Sequence, residues 1–111
     1  MSKSKISLTD AIEKLKLQKD QVSTLMMKRG MMSVEYFAPH LSDTQSPHSQ
    51  DELYIIVRGH GDFYRDGKIL DCKAGDLLFV PAGMSHHFEN FSDDFATWVI
   101  FYGPDGGSGK E

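Results

Sequence analysis

From about residue 23 onward, apolar and polar residues alternate in short runs, each closed by Gly, Pro, Asp or Asn. Alternation with a period of two sends successive side chains to opposite faces, so these runs predict strands. The expected spans are Ser23 to Lys28, Met31 to Phe37, Glu52 to Arg58, Gly61 to Arg65, Lys68 to Asp71, Asp76 to Val80, His86 to Asn90 and Thr97 to Tyr102. Arg29-Gly30, Asp66-Gly67, Ala74-Gly75, Pro81-Ala82-Gly83 and Ser92-Asp93-Asp94 supply the turns between them. Earlier in the chain, Leu8, Ala11, Ile12 and Leu15 recur at helical spacing behind the capping sequence Ser7-Leu8-Thr9-Asp10. This predicts one short amphipathic helix ending near Leu17. Many short strands and one helix indicate an all-β sandwich or barrel. The division expected is a leader and helix over 1–22, a β domain over 23–103 and a Gly-rich flexible tail over 104–111.

Composition narrows the class. A chain of 111 residues holds one modest core, and 40% hydrophobic with 25% charged residues is ordinary for a globular domain. Its apolar runs are too short to span a bilayer, and no apolar stretch follows Lys3 and Lys5, so neither a membrane helix nor a secretory signal is expected and the setting reads as cytoplasmic. Residues 1–30 carry seven Lys/Arg against three Asp/Glu, whereas residues 31–111 carry five against thirteen. An acidic body repels phosphates, which excludes a nucleic-acid partner. Cys72 is the only cysteine, so no internal disulfide can form. Its turn-like setting reads as a free thiol, at the surface or half-buried.

The chemistry concentrates in two stretches. In the first, His48 and Glu52 are followed by Leu53-Tyr54-Ile55-Ile56-Val57, a run with strand propensity. On one straight strand the two would lie about 13 Å apart, too far to share an ion, so the chain must fold back at Ser49-Gln50-Asp51 if they do. Alternation then puts Glu52, Tyr54 and Ile56 on one face, and Leu53, Ile55 and Val57 on the other. A carboxylate on the inner face is costly unless paired or metal-bound. An apolar outer face is a candidate subunit interface. In the second stretch, which runs from Gly75 to Asn90, His86, Phe88 and Asn90 share a face, and His87 and Glu89 take the opposite one.

These residues resemble the cupin superfamily. Gly75, Pro81, Gly83, His86 and Asn90 match every fixed position of its second motif, G-x5-P-x-G-x2-H-x3-N. His48, Glu52 and Gly59 match its first motif, H-x-H-x3-E-x6-G, with Ser46 standing where that motif has its first histidine. The likeness runs from about Met31 to Tyr102 and is strongest to small single-domain bacterial cupins. It implies a double-stranded β-helix, the jelly-roll barrel of the family, and one divalent metal ion held by His48, Glu52 and His86.

Ser46 leaves the fourth position open to Gln45, to Ser46 or to water. Two His and one carboxylate with open positions is the ligand set of non-haem Fe(II) oxygenases, and the same set accepts zinc, manganese or nickel. The expected ligand is a small molecule, walled by Tyr54, Ile56 and Phe88, with Tyr36, Phe63, Trp98 and Tyr102 as further candidates. His40, His60 and His87 are expected to lie outside the site. Two functions fit: a metalloenzyme of dioxygenase or isomerase type, and a non-catalytic metal-dependent ligand-binding module. A homodimer through the outer face of the Glu52 strand is expected.

Overall fold

The computed structural model describes residues 4–107. The chain forms α1 (Leu8–Lys16) and eight strands: β1 (Ser23–Arg29), β2 (Met32–Phe37), β3 (Asp51–Arg58), β4 (His60–Arg65), β5 (Lys68–Lys73), β6 (Leu77–Val80), β7 (His86–Glu89) and β8 (Ala96–Tyr102). Every expected element is present with ends moved by a residue or two. All pairings are antiparallel: β1-β2-β8-β3-β6 make one sheet and β5-β4-β7 the other.

One core lies between the sheets. Phe37, Tyr54, Ile56, Val80, Phe95 and Val99 come from the larger sheet and its approach, and Phe63, Cys72 and Phe88 from the smaller one. Cys72 departs from the expected surface or half-buried position. Because β5 runs on to Lys73, Cys72 pairs with Gly61 and turns inward, where it is 3% exposed.

A second cluster covers the opposite face of the larger sheet. The Ser7 hydroxyl accepts from the Asp10 N–H and starts α1, whose Ala11, Ile12 and Leu15 pack with Met26, Tyr36, Ala96, Val57 and Trp98. The helix therefore roofs part of the face expected to meet a second subunit, and Val57 is covered within the chain. Ile55, with Val34, Trp98 and Ile100, still lines a shallow groove beside Ile6.

Gly59 joins β3 to β4 with φ of 73°, and a Cβ there would lie 2.8 Å from the Phe95 Cα. Both the conformation and the close approach require glycine. Of the segment read as a flexible tail, residues 108–111 lie outside the described residues. Before them, the Asp105 carboxylate accepts from the Ser49 hydroxyl at 2.9 Å and the Gly106 N–H donates to the Ser49 carbonyl at 2.7 Å.

Candidate metal centre

The site is assembled by two turns that hold each other. His48 precedes β3, and its carbonyl accepts from the Gly83 N–H at 2.8 Å. Asp51, the first residue of β3, accepts from the Ala82 N–H at 2.9 Å. The Pro81-Ala82-Gly83 turn leading to His86 is thereby fixed to the bend between His48 and Glu52.

Three side chains meet there. His48 Nδ1 and His86 Nε2 lie 3.0 and 2.9 Å from the same oxygen, Glu52 Oε1, and one ligand atom from each residue lies within 4.8 Å of the others. The Glu52 and His86 side chains are fully buried, while that of His48 is 36% exposed. The cluster therefore has one solvent-facing side.

The hydrogen bonding of His86 bears on what this cluster can hold. Its Nδ1 is 2.9 Å from the Met84 carbonyl, an acceptor, so Nδ1 carries the proton. A neutral ring then directs the Nε2 lone pair at a carboxylate oxygen. Although the distance is short, His86 Nε2 makes no hydrogen bond, and Glu52 Oε2 has no partner either. Two buried acceptors at this distance need a proton or a cation between them. A divalent ion fits this donor set, with the Met84 carbonyl fixing the ring as an outer-shell partner does.

Without an ion, a proton takes that role. Burial pushes the Glu52 carboxyl up, but the His48 and His86 rings outweigh it when a proton on the ring nitrogen faces the carboxylate, and hold the group below its ordinary value. For His86, burial pushes down, and the Glu52 carboxylate and the Met84 carbonyl together raise it.

Gln45 is engaged elsewhere. Its amide oxygen accepts from the Tyr54 hydroxyl at 2.9 Å, and its amide nitrogen donates to Asp43 at 2.6 Å. Asp43 also accepts from the Phe88 N–H at 2.8 Å. Burial and the nearby Glu52 push the Tyr54 phenol well up, so it remains a donor. Gln45 thus closes a chain from Tyr54 to Asp43 instead of offering a free amide to an ion. Ser46 is exposed.

A cavity of about 390 Å³ opens beside His48. Its wall differs from the expected one. Tyr54, Ile56 and Phe88 are at most 1% exposed, and Tyr54 and Phe88 pack edge to face with ring centroids 4.9 Å apart. They form the floor of the core, as does Phe63, and none lines this cavity. Tyr36 is on the opposite face, against Trp98 and α1. The cavity is lined instead by Phe37, Val99, Phe101 and Glu35 from β2 and β8, with Asp43, Gln45 and His48 from the approach to β3. The Phe101 ring also meets the His48 ring edge-on, 4.8 Å between centroids.

Glu35 was not among the expected site residues. Burial raises its carboxyl above the ordinary value, with His48 opposing and Glu52 adding to the shift. The available signal was its alternation with Val34 and Tyr36, which reads as solvent-facing until the helix is known to cover the other side. His87 points away: it stacks on Tyr64 at 4.7 Å and its Nε2 lies 2.9 Å from Glu89 Oε1. His40 and His60 are exposed.

Comparison with known proteins agrees with this architecture. The family model described as Cupin domain matches residues 33–102. An uncharacterized protein of Streptomyces coelicolor is 30% identical over 98 residues, 86% of this chain and 93% of that protein. An acireductone dioxygenase of Gluconacetobacter diazotrophicus is 38% identical over 63 residues, 52% of this chain but 35% of that enzyme. The chain spans about a third of the length of such dioxygenases. Among solved structures, a cupin 2 conserved barrel domain protein from Salinispora arenicola superposes with a TM-score of 0.62 at 22% identity, covering 73% of this chain and 74% of that one.

Proposed function

This chain belongs to the cupin family, and from that premise we propose that it holds one divalent metal ion through His48, Glu52 and His86 and acts there on a small polar molecule. The observation that carries the reading is the buried Glu52 carboxylate: two imidazole nitrogens meet one of its oxygens, while His86 Nε2 and Glu52 Oε2 lack hydrogen bonds. A buried carboxylate with unsatisfied neighbours is costly, and a cation removes that cost. We read the two sheets as the halves of a double-stranded β-helix whose open end carries the site.

When bound, the ion would supply Lewis acidity and open positions for a ligand's oxygen atoms. The chain's own residues do the rest. Glu52 and His86 hold their donor atoms in a dry interior, with His86 oriented by Met84. His48 borders the cavity and leaves the ion's outer side accessible. Phe37, Val99 and Phe101 limit water on that side, and the Tyr54–Gln45–Asp43 chain anchors the loop that carries His48.

The 2-His-1-carboxylate set and the dioxygenase relatives favour oxygen chemistry over isomerisation. A homodimer through the uncovered part of the β3 outer face and a cytoplasmic setting belong to the same proposal. Elemental analysis after reconstitution with Fe(II), Zn(II), Mn(II) or Ni(II) tests it, with His86→Ala as the partner sample. We expect about one ion per chain, lost in the variant. A parent chain that takes up none of the four would refute the metal site, and oxygen consumption by the iron form, but not the zinc form, separates an enzyme from a binding module.

A further inference from the structure

Glu35 stands on the inward face of β2. Register places Glu35, Val99 and Tyr54 in one row across β2, β8 and β3, beside the row Ser33, Phe101 and Glu52. At about 4.8 Å per strand, Glu35 is two strands from Tyr54, roughly 10 Å from backbone to backbone. Its side chain lines the cavity that His48 also lines.

The two carboxylates of this cavity are not equivalent. Asp43 takes hydrogen bonds from the Gln45 N–H, the Gln45 amide group and the Phe88 N–H, so its charge is used within the protein. Glu35 is half-buried and has no hydrogen-bond or ion-pair partner among the described residues. No lysine or arginine is among the residues lining the cavity. Glu35 is not one of the three residues clustered at the metal centre. The Glu35 oxygens are not sealed from solvent, so a ligand's O–H or N–H would replace water as their donor. A ligand carboxylate in the same place would meet like charge with no lysine or arginine lining the cavity to offset it.

We propose that Glu35 is a ligand-recognition residue: across the cavity from the metal centre it accepts a hydrogen bond from the O–H or N–H of a small chelating ligand, and it disfavours dicarboxylates. This rests on the metal reading above. Two chelating probes separate the cases. Acetohydroxamate binds metals through two oxygens as a monoanion and keeps an N–H donor, whereas oxalate is a dianion with no donor.

The test uses the full chain loaded with Zn(II), with metal content measured before and after calorimetric titration of each probe. Wild type should prefer acetohydroxamate. Glu35→Gln should load zinc equally, lose about tenfold in acetohydroxamate affinity, the scale of one charge-assisted hydrogen bond, and gain toward oxalate. Glu35→Asp, which keeps the carboxylate, should retain the order of preference and guards against misfolding of the first variant. If zinc loads and both probes keep their wild-type ratio in Glu35→Gln, the recognition role is overturned while the metal site stands. Absence of binding by either probe to the zinc form, or loss of zinc in a folded Glu35→Gln, overturns it as well. Failure of wild type to load zinc removes the metal reading and this inference together.

Discussion

At the scale of single residues, the fate of each side chain follows from which face of its strand it occupies. Glu52 and Glu35 are both strand carboxylates that turn inward, yet one is sealed between two histidines and the other borders a cavity. Cys72 shows the same control in an apolar setting. Burial, with Asp76 adding to it, pushes its thiol from 9.0 up to about 11. Such a thiol is protonated at neutral pH, and its reactive thiolate fraction falls as pKa rises above pH. With that two-unit shift, Cys72 should react about a hundredfold more slowly with a disulfide reagent at pH 8 in the native protein than in urea. Restricted access should slow it further. Equal native and denatured rates, followed by release of the coloured thiolate, would place the thiol at the surface.

At the scale of elements, the turns carry as much of the site as the strands do. Gly83 has φ of 81° with open space where a Cβ would stand, whereas Gly59 has φ of 73° and backbone of Phe95 within 2.8 Å of that position. Gly83→Ala should therefore cost only the left-handed conformation, about 1–2 kcal/mol. Gly59→Ala should add a packing clash of roughly 1–3 kcal/mol to a similar conformational cost. Urea denaturation of both variants measures the difference, and equal losses would mean that β4 shifts freely away from the Phe95 segment. Both glycines were legible as turn residues. Only the second contact, between Gly59 and a segment 36 positions further on, distinguishes them, and no local pattern encodes it.

For the whole molecule, the helix changes how the larger sheet is used. Because α1 covers Tyr36, Val57 and part of Trp98, both faces of that sheet are apolar, and the simple rule that apolar residues face one core fails on β2. What remains open is the groove around Ile55, next to Leu77, which pairs with Ile55 in register and is 60% exposed. If that surface joins two copies, Ile55→Asp should move the protein from dimer to monomer in sedimentation velocity without unfolding it, since Ile55 lies outside both buried clusters. A wild-type chain that sediments as a monomer at high concentration would end the dimer proposal.

Sequence by itself determined the strands, the turns and the trio of His48, Glu52 and His86. Those features rest on local chemistry: period-two alternation, glycine and proline at turns, and a motif with fixed spacing. Tertiary structure alone decided which face of β2 looks inward, because that depends on a helix packing from elsewhere in the chain. It thereby exchanged Tyr36 for Glu35 at the cavity. It also closed Tyr54, Ile56 and Phe88 into the core, and drew Gln45 into hydrogen bonds with Tyr54 and Asp43. These outcomes depend on contacts between distant segments, and such contacts exist only after the sheets have come together.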